Sequence, residues 1–223
     1  MKNIQSMKKD TLVEAISCSL DVIDESNTKI ALLVPVGNWA LSDEELLGDF
    51  AKWRQIFMRF FLTQFTASKE STKNYLKNLS IGQEDRIFFA IYVDNLLVGH
   101  IGLSNVTGSK AELDNIIRGV SGGHKDLMFF TEKALLNWAF NTLKVEAVEA
   151  QVMSRNFLAL SLHERFGFKL RERFFLKKVI NESSFSYDAC EKDSATEKFF
   201  LDVIEVAKLD FTETITLPCS RVK

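Results

Sequence analysis

Residues 145–168, VEAVEAQVMSRNFLALSLHERFGF, constrain this chain more than any other stretch. Val145 to Met153 reads as a strand, Ser154-Arg155-Asn156 as the turn out of it, and residues 156–166 as a short helix that stops at Gly167-Phe168. A strand that enters a helix through three residues belongs to a layered α/β architecture, because sheet and helix must each bury an apolar side against the other. Asparagine suits the start of such a helix and glycine its end.

The rest of the chain agrees. Leu12, Val13, Ile16, Leu20 and Ile23 are spaced for a short amphipathic helix over 11–23. Lys29 to Val36 predicts a first strand. Ser42-Asp43-Glu44-Glu45 reads as a cap with an acidic first turn, opening a helix of about five turns with Leu46, Phe50, Trp53, Ile56, Phe57 and Phe60 on one stripe. A second helix starts at Ser68 or Ser71 and runs to about Leu79. Arg86 to Val93 and Leu96 to Leu103 form a hairpin about Asp94-Asn95, and Ala111 to Val120 extends the meander. Ser121-Gly122-Gly123 breaks it before a long helix over 124–143 that buries Leu127, Phe130, Leu135 and Ala139. Segments 168–180 and 198–206 read as a closing hairpin around a polar, aperiodic loop at 181–197. The expected order is β-α-α-β-β-β-α-β-α-β-β on a mixed central sheet, an α/β fold.

Composition narrows the function classes. A length of 223 residues predicts one domain at 29–207, with an N-terminal extension at 1–28 and a tail at 208–223. A net charge of −2 gives no electrostatic case for nucleic acid or an anionic membrane, and no apolar run is long enough to span a bilayer. Three scattered cysteines, Cys18, Cys190 and Cys219, suit a reducing cytoplasm with free thiols. The histidines His100, His124 and His163 lack metal-ligand spacing, so no metal is expected.

Asn156, Ala159, Leu162, His163, Glu164, Arg165, Gly167 and Phe168 resemble the N-x-x-A-x-x-L-Y-E-K-x-G-F signature of the GNAT N-acetyltransferase superfamily, and the strand end N-I-I-R-G at 115–119 before a glycine-containing loop resembles a divergent bacterial branch of it. The element order matches that fold over roughly 29–207. The resemblance implies acetyl-CoA as co-substrate, with its pyrophosphate at a strand-to-helix turn. There the first backbone N–H groups of the helix lack internal partners and the helix dipole is positive. The family pattern R/Q-x-x-G-x-G/A falls on 118–128: Arg118, Gly119, Gly122, Gly123, His124, Lys125, Asp126 and Met128, preceded by Ile117. Anchored on Ala134-Leu135-Leu136-x-Trp138-Ala139, the second and third loop glycines are replaced by Asp126 and Met128. Asp126 would repel phosphate unless it caps the helix and faces away, while His124 and Lys125 offset it. Asn156 is expected at the helix start beside the cofactor, whether as an ordinary N-cap, a cofactor contact, or both.

Acetyl transfer needs a neutral amine, a stabilised oxyanion and a protonated leaving thiolate. The resemblance puts the base on the strands beside the cofactor. Glu112 and Asp114 share a face of strand 111–120 and either serves, against the alternative that both are solvated charges. His163 stands where the family's thiolate-protonating tyrosine stands, and imidazole can donate or accept near neutral pH; it is equally readable as a packing histidine. Trp53-Arg54 resembles the W-R pair of ribosomal-protein and amino-sugar acetyltransferases, and His100 lies on a strand facing 111–120, so all three are acceptor-site candidates, against the alternatives that most aromatics of this helix are core and that His100 is a sheet-face histidine with a backbone partner. The expected activity is direct acetyl transfer in a ternary complex to a primary amine of a small molecule, an amino sugar first. A homodimer is left open. The alternatives are a GNAT-fold binding module without catalysis, a longer acyl-CoA, or a protein N-terminus as acceptor.

Overall fold

A computed structural model describes residues 2–211. Its strands lie in the order β1-β2-β4-β5-β6-β7-β10-β8-β9-β3: β1 Leu20–Ile23, β2 Lys29–Pro35, β3 Thr63–Phe65, β4 Ile87–Val93, β5 Leu96–Ser104, β6 Lys110–Arg118, β7 Ala147–Met153, β8 Lys169–Ile180, β9 Ser184–Cys190 and β10 Leu201–Ala207. The β6–β7 pair is parallel, and the other pairs are antiparallel. The helices are α1 Lys2–Met7, α2 Leu12–Ser17, α3 Glu44–Phe57, α4 Lys69–Tyr75, α5 Leu127–Trp138 and α6 Phe157–Glu164. The expected mixed sheet of the α/β class is therefore present.

The run IFFAIYV of β4 is apolar on both sides because both faces of the sheet are covered. Ile87, Phe89, Ile91 and Val93 join a core with Leu127, Leu135 and Phe166. Phe88 and Ala90 join a second core with Leu47, Phe50 and Trp53 of α3. Asp94 and Asn95 both take positive φ, as a two-residue hairpin turn demands.

Local chemistry sets the helix ends. Asp43, not Ser42, is the N-cap of α3, its carboxylate accepting from the Leu46 N–H at 3.0 Å. The stripe runs out before Phe60: Ile56 is 56% exposed, and the chain tightens into a 3-10 turn at Met58–Phe60 that leads to β3. Both serines act at α4, Ser68 as N-cap and Ser71 as its reciprocal partner three residues on. A π turn, Leu76–Ile81, prolongs that helix.

Three expectations are corrected. The helix over 11–23 ends at Ser17, and Leu20 to Ile23 pair with β2 as an edge strand. Val22 on that strand and Ile4 of α1 lie in the first core. The helix over 124–143 begins at Leu127 and ends in a π turn, Ala139–Leu143, which leaves 124–126 to the loop before it. The loop at 181–197 contains β9, which pairs with β8 and β3. Phe185 and Tyr187 alternate with Ser184, Ser186 and Asp188 there, a period-two signal hidden by polar composition. Of the tail at 208–223, residues 212–223 lie outside the described residues.

Candidate functional site

The sheet is split at its centre by one extra residue. Along β5, His100 and Gly102 pair with Ile117 and Asp114 of β6, so Asn115 and Ile116 together stand opposite Ile101. That is a β-bulge, and Asn115 carries it at φ 53, a left-handed conformation asparagine tolerates. β6 pairs with β7 only from Lys110↔Ala147 to Leu113↔Ala150. Beyond that the two strands part, and residues 114–118 and 151–153 line opposite sides of a cleft of about 1320 Å³.

The bulge is pinned from both sides. Its Asn115 carbonyl accepts from His100 Nδ1 at 2.7 Å, and a carbonyl can only accept, so the proton sits on Nδ1. His100 is 4% exposed among Phe50, Phe88 and Trp53, and burial pushes its pKa down to about 4. It is therefore neutral at pH 7. The Asn115 amide donates to Tyr75 Oη at 2.8 Å, and Arg86 Nη1 donates to the same oxygen at 3.2 Å. With both acceptor positions of Tyr75 filled, its hydroxyl proton is left for the cleft.

Glu112 and Asp114 both line the cleft. Asn105 donates to Glu112 Oε2 at 2.6 Å, and Arg86 Nη1 lies 3.6 Å from Asp114 Oδ2. Burial nevertheless raises both carboxyl pKa values, its effect exceeding that of the hydrogen bonds and of Arg86.

The loop before α5 is less closed. The Leu127 and Phe130 N–H groups return to the His124 and Asp126 carbonyls. Those of Met128 and Phe129 have no partner among the described residues. Asp126 occupies the N-cap position without a side-chain cap; its carboxylate lies 3.4 Å from Arg165 Nη1 of the turn after α6. Lys125, Asp126 and Met128 line the cleft together with Ile117 and Arg118. The glycines serve the fold: a Cβ on Gly119 would stand 1.9 Å from the Trp53 ring, Gly122 accepts from Arg118 Nη2 at 2.7 Å, and Gly123 has φ +68. Gly119, Gly122, Gly123 and His124 do not line the cleft.

On α6, Asn156 is both the N-cap, accepting from the Ala159 N–H at 3.3 Å, and part of the cleft wall. His163 is 2% exposed and lines the cleft; its Nδ1 lies 2.7 Å from Oε1 of Glu132, a residue of α5 that is 0% exposed.

Trp53 is corrected as an acceptor contact: it is 1% exposed and packed in the core beneath Gly119. Arg54 does reach the cleft, its guanidinium 3.4 Å from the centre of the Phe61 ring and donating to the Thr63 carbonyl at 3.2 Å. His100 borders the cleft, but its one bonded ring nitrogen is engaged by the bulge. Sequence reasoning missed Tyr75, Arg86, Asn115, Glu132 and Arg165, all polar residues that gain meaning only from partners distant in the chain. The expectation of no metal rested on spacing, yet Asp24, Glu25 and His124 bring ligand-type atoms within 4.8 Å of one another. His124 Nδ1 already accepts from the Asp126 N–H at 3.1 Å, so the ring proton of the neutral form lies on Nε2 and favours hydrogen bonding over ligation. No helix among the described residues is long and apolar enough to cross a membrane.

The sequence matches the Acetyltransferase (GNAT) domain over residues 37–169. No curated protein matches it. A probable GNAT-family acetyltransferase from Chromobacterium violaceum superposes with TM-score 0.64 at 15% identity, covering 87% of this chain and 92% of that one. A GNAT-family acetyltransferase from Bacillus anthracis gives 0.59 at 16%, covering 85% and 98%. Spermidine N-acetyltransferase from Vibrio cholerae, solved with CoA and spermine, gives 0.61 at 14%, covering 82% and 98%. At these identities the likeness is one of fold.

Proposed function

The chain belongs to the GNAT acetyltransferase domain family, and from that premise we propose that its central cleft moves an acetyl group from acetyl-CoA to a primary amine of a small molecule in one ternary complex. The observation that carries this reading is the parting of β6 from β7 behind the bulge. It leaves a free strand edge, along which the amides of a pantetheine arm can pair as an added strand would. The free Met128 and Phe129 N–H groups and the Lys125 ammonium suit the pyrophosphate, with Arg165 drawing the Asp126 charge aside. Asn156 flanks the arm. A cleft of about 1320 Å³ exceeds the usual size of a single-ligand pocket, about 300–1,000 Å³, and suits two substrates.

Glu112 or Asp114 takes the amine proton. Burial raises both carboxyls toward the working pH, which suits a general base. The amine nitrogen attacks the thioester carbonyl carbon, the C–S bond breaks, and His163 supplies a proton to the sulfur. No cysteine among the described residues lines the cleft, so direct transfer is the simpler course.

For the acceptor, the Trp53-Arg54 resemblance suggests an amino sugar. Trp53 lies in the core, whereas Arg54, Phe57, Phe60, Phe61, Phe65 and Phe88 line the cleft. Such a wall favours an amine whose body presents a flat apolar face, which a sugar ring and an arylalkyl chain both have.

Calorimetric titration with acetyl-CoA tests the first step, and the absence of binding at millimolar ligand overturns the reading. Thiol release against amino sugars, arylalkylamines and polyamines tests the second. Replacing Glu112 by Gln together with Asp114 by Asn is expected to lower turnover about 10²–10⁴-fold with acetyl-CoA binding intact. Binding without turnover for every amine would instead favour a binding module.

A further inference from the structure

Among the buried polar groups, one pair is unaccounted for by the needs of folding. Glu132 sits in the middle of α5 with a 0% exposed side chain, facing His163 of α6 at 2.7 Å. A buried carboxylate is costly unless fully paired. Here Oε1 meets His163 Nδ1, while Oε2 has no partner. An apolar side chain would fill this position without that cost. The cost falls between the two helices whose N-termini flank the cofactor side of the cleft.

The geometry divides the two imidazole nitrogens. A carboxylate oxygen can only accept, so Nδ1 carries a proton. Nε2 has no partner among the described residues, yet it is not one of the fully shielded polar atoms that lack one. His163 lines the cleft, whereas Glu132 does not. The Phe168 ring, 5.3 Å from the imidazole, packs beside it and limits its rotation. A carboxylate behind one nitrogen and a reaction space before the other is the arrangement that orients a histidine for proton transfer.

We propose that Glu132 is a positioning residue for acyl transfer: it holds His163 with Nδ1 protonated and turns Nε2 toward the leaving sulfur. This rests on the acetyl-transfer reading above. When the tetrahedral intermediate collapses, the C–S electron pair goes to sulfur, and the Nε2 proton of the imidazolium follows it. Neutral His163 then regains a proton from solvent.

The test compares Glu132→Gln, Glu132→Leu and His163→Gln with the wild type in thiol release, acetyl-CoA titration and thermal unfolding. A long-range proton–nitrogen NMR map of the histidine rings accompanies them. Glu132→Gln is expected to lower kcat about 10–100-fold with acetyl-CoA affinity unchanged. Glu132→Leu is expected to lose turnover and to lower the melting temperature, because it leaves His163 Nδ1 buried without its partner. In the wild type the His163 ring should show its proton on Nδ1. Wild-type turnover in Glu132→Gln, a proton on Nε2 with Nδ1 bare, or a lowered melting temperature with turnover intact in Glu132→Leu would each overturn the positioning role. If the wild type binds acetyl-CoA but acetylates no amine, the acetyl-transfer reading fails and takes this role with it. If only the Glu132 variants are silent in the kinetics, that reading stands.

Discussion

Two buried histidines face the same cleft from opposite sides and are held in different ways. His100 gives its Nδ1 proton to the Asn115 carbonyl inside a ring of Phe50, Phe88 and Trp53, and burial keeps it neutral. His163 sets its Nδ1 against the side-chain carboxyl group of Glu132 at 2.7 Å. A carbonyl partner holds a conformation, here the bulge that parts β6 from β7. A side-chain carboxyl partner orients the ring and leaves its other nitrogen unengaged. Burial alone, 4% against 2% exposed, does not tell the two apart; the partner does.

The sharpest way to break this contrast is acid. The folded-state pKa of His100 is about 4, below the ordinary 6.5, so the unfolded chain binds its proton first as pH falls. Its contribution to stability is complete above about pH 6.5 and lost as pH drops toward 4, roughly 3 kcal/mol in all. Urea unfolding of the wild type and of His100→Gln, which keeps a donor for Asn115, should show a shallower loss between pH 7 and pH 4.5 in the variant. Equal slopes would mean that His100 is not held neutral in this way.

Next in size is the contrast between the pinned wall and the open loop. Gly119→Ala would drive a Cβ into the Trp53 ring and is expected to cost about 1–3 kcal/mol or more. Gly122→Ala meets no neighbour within 4 Å and bears only the strain of its φ of +132, about 1–3 kcal/mol at most. Denaturation midpoints decide between them, and a Gly119→Ala protein as stable as the wild type would show that the wall yields. The smallest effect is expected from Tyr75→Phe. It removes one hydroxyl donor from the cleft and loosens Asn115, raising the acceptor KM several-fold, about 1 kcal/mol, with acetyl-CoA affinity unchanged. An acceptor KM that does not move would leave Tyr75 as a support for the bulge alone.

Much of the frame was legible in the residues. The Asp94-Asn95 turn, the doubly buried IFFAIYV strand and the strand-turn-helix unit at 145–168 follow from periodicity and capping, which act within a few residues. Asn156 and His163 were found through a local signature, and both line the cleft. Glu112 and Asp114 share a strand face by alternation and both reach the cleft as well. Illegible were Asn115 as the bulge residue, Tyr75 and Arg86 beside it, Glu132 behind His163, and Arg165 drawing Asp126 aside. Each depends on a partner that lies 11 to 40 residues away in the chain. Trp53 misled because an aromatic beside an arginine reads the same whether it faces a ligand or a core.

By itself the sequence determined the class of fold, the elements on each side of the cleft and the residue types offered to it, because these rest on spacing and composition along the chain. Only the tertiary structure decided which of two parallel strands would part, which histidine would be pinned neutral and which would be set against a carboxylate. The physical reason is that a buried polar group takes its character from the atom placed opposite it. For His163 that atom is on Glu132, 31 residues back in the chain and 2.7 Å away in space.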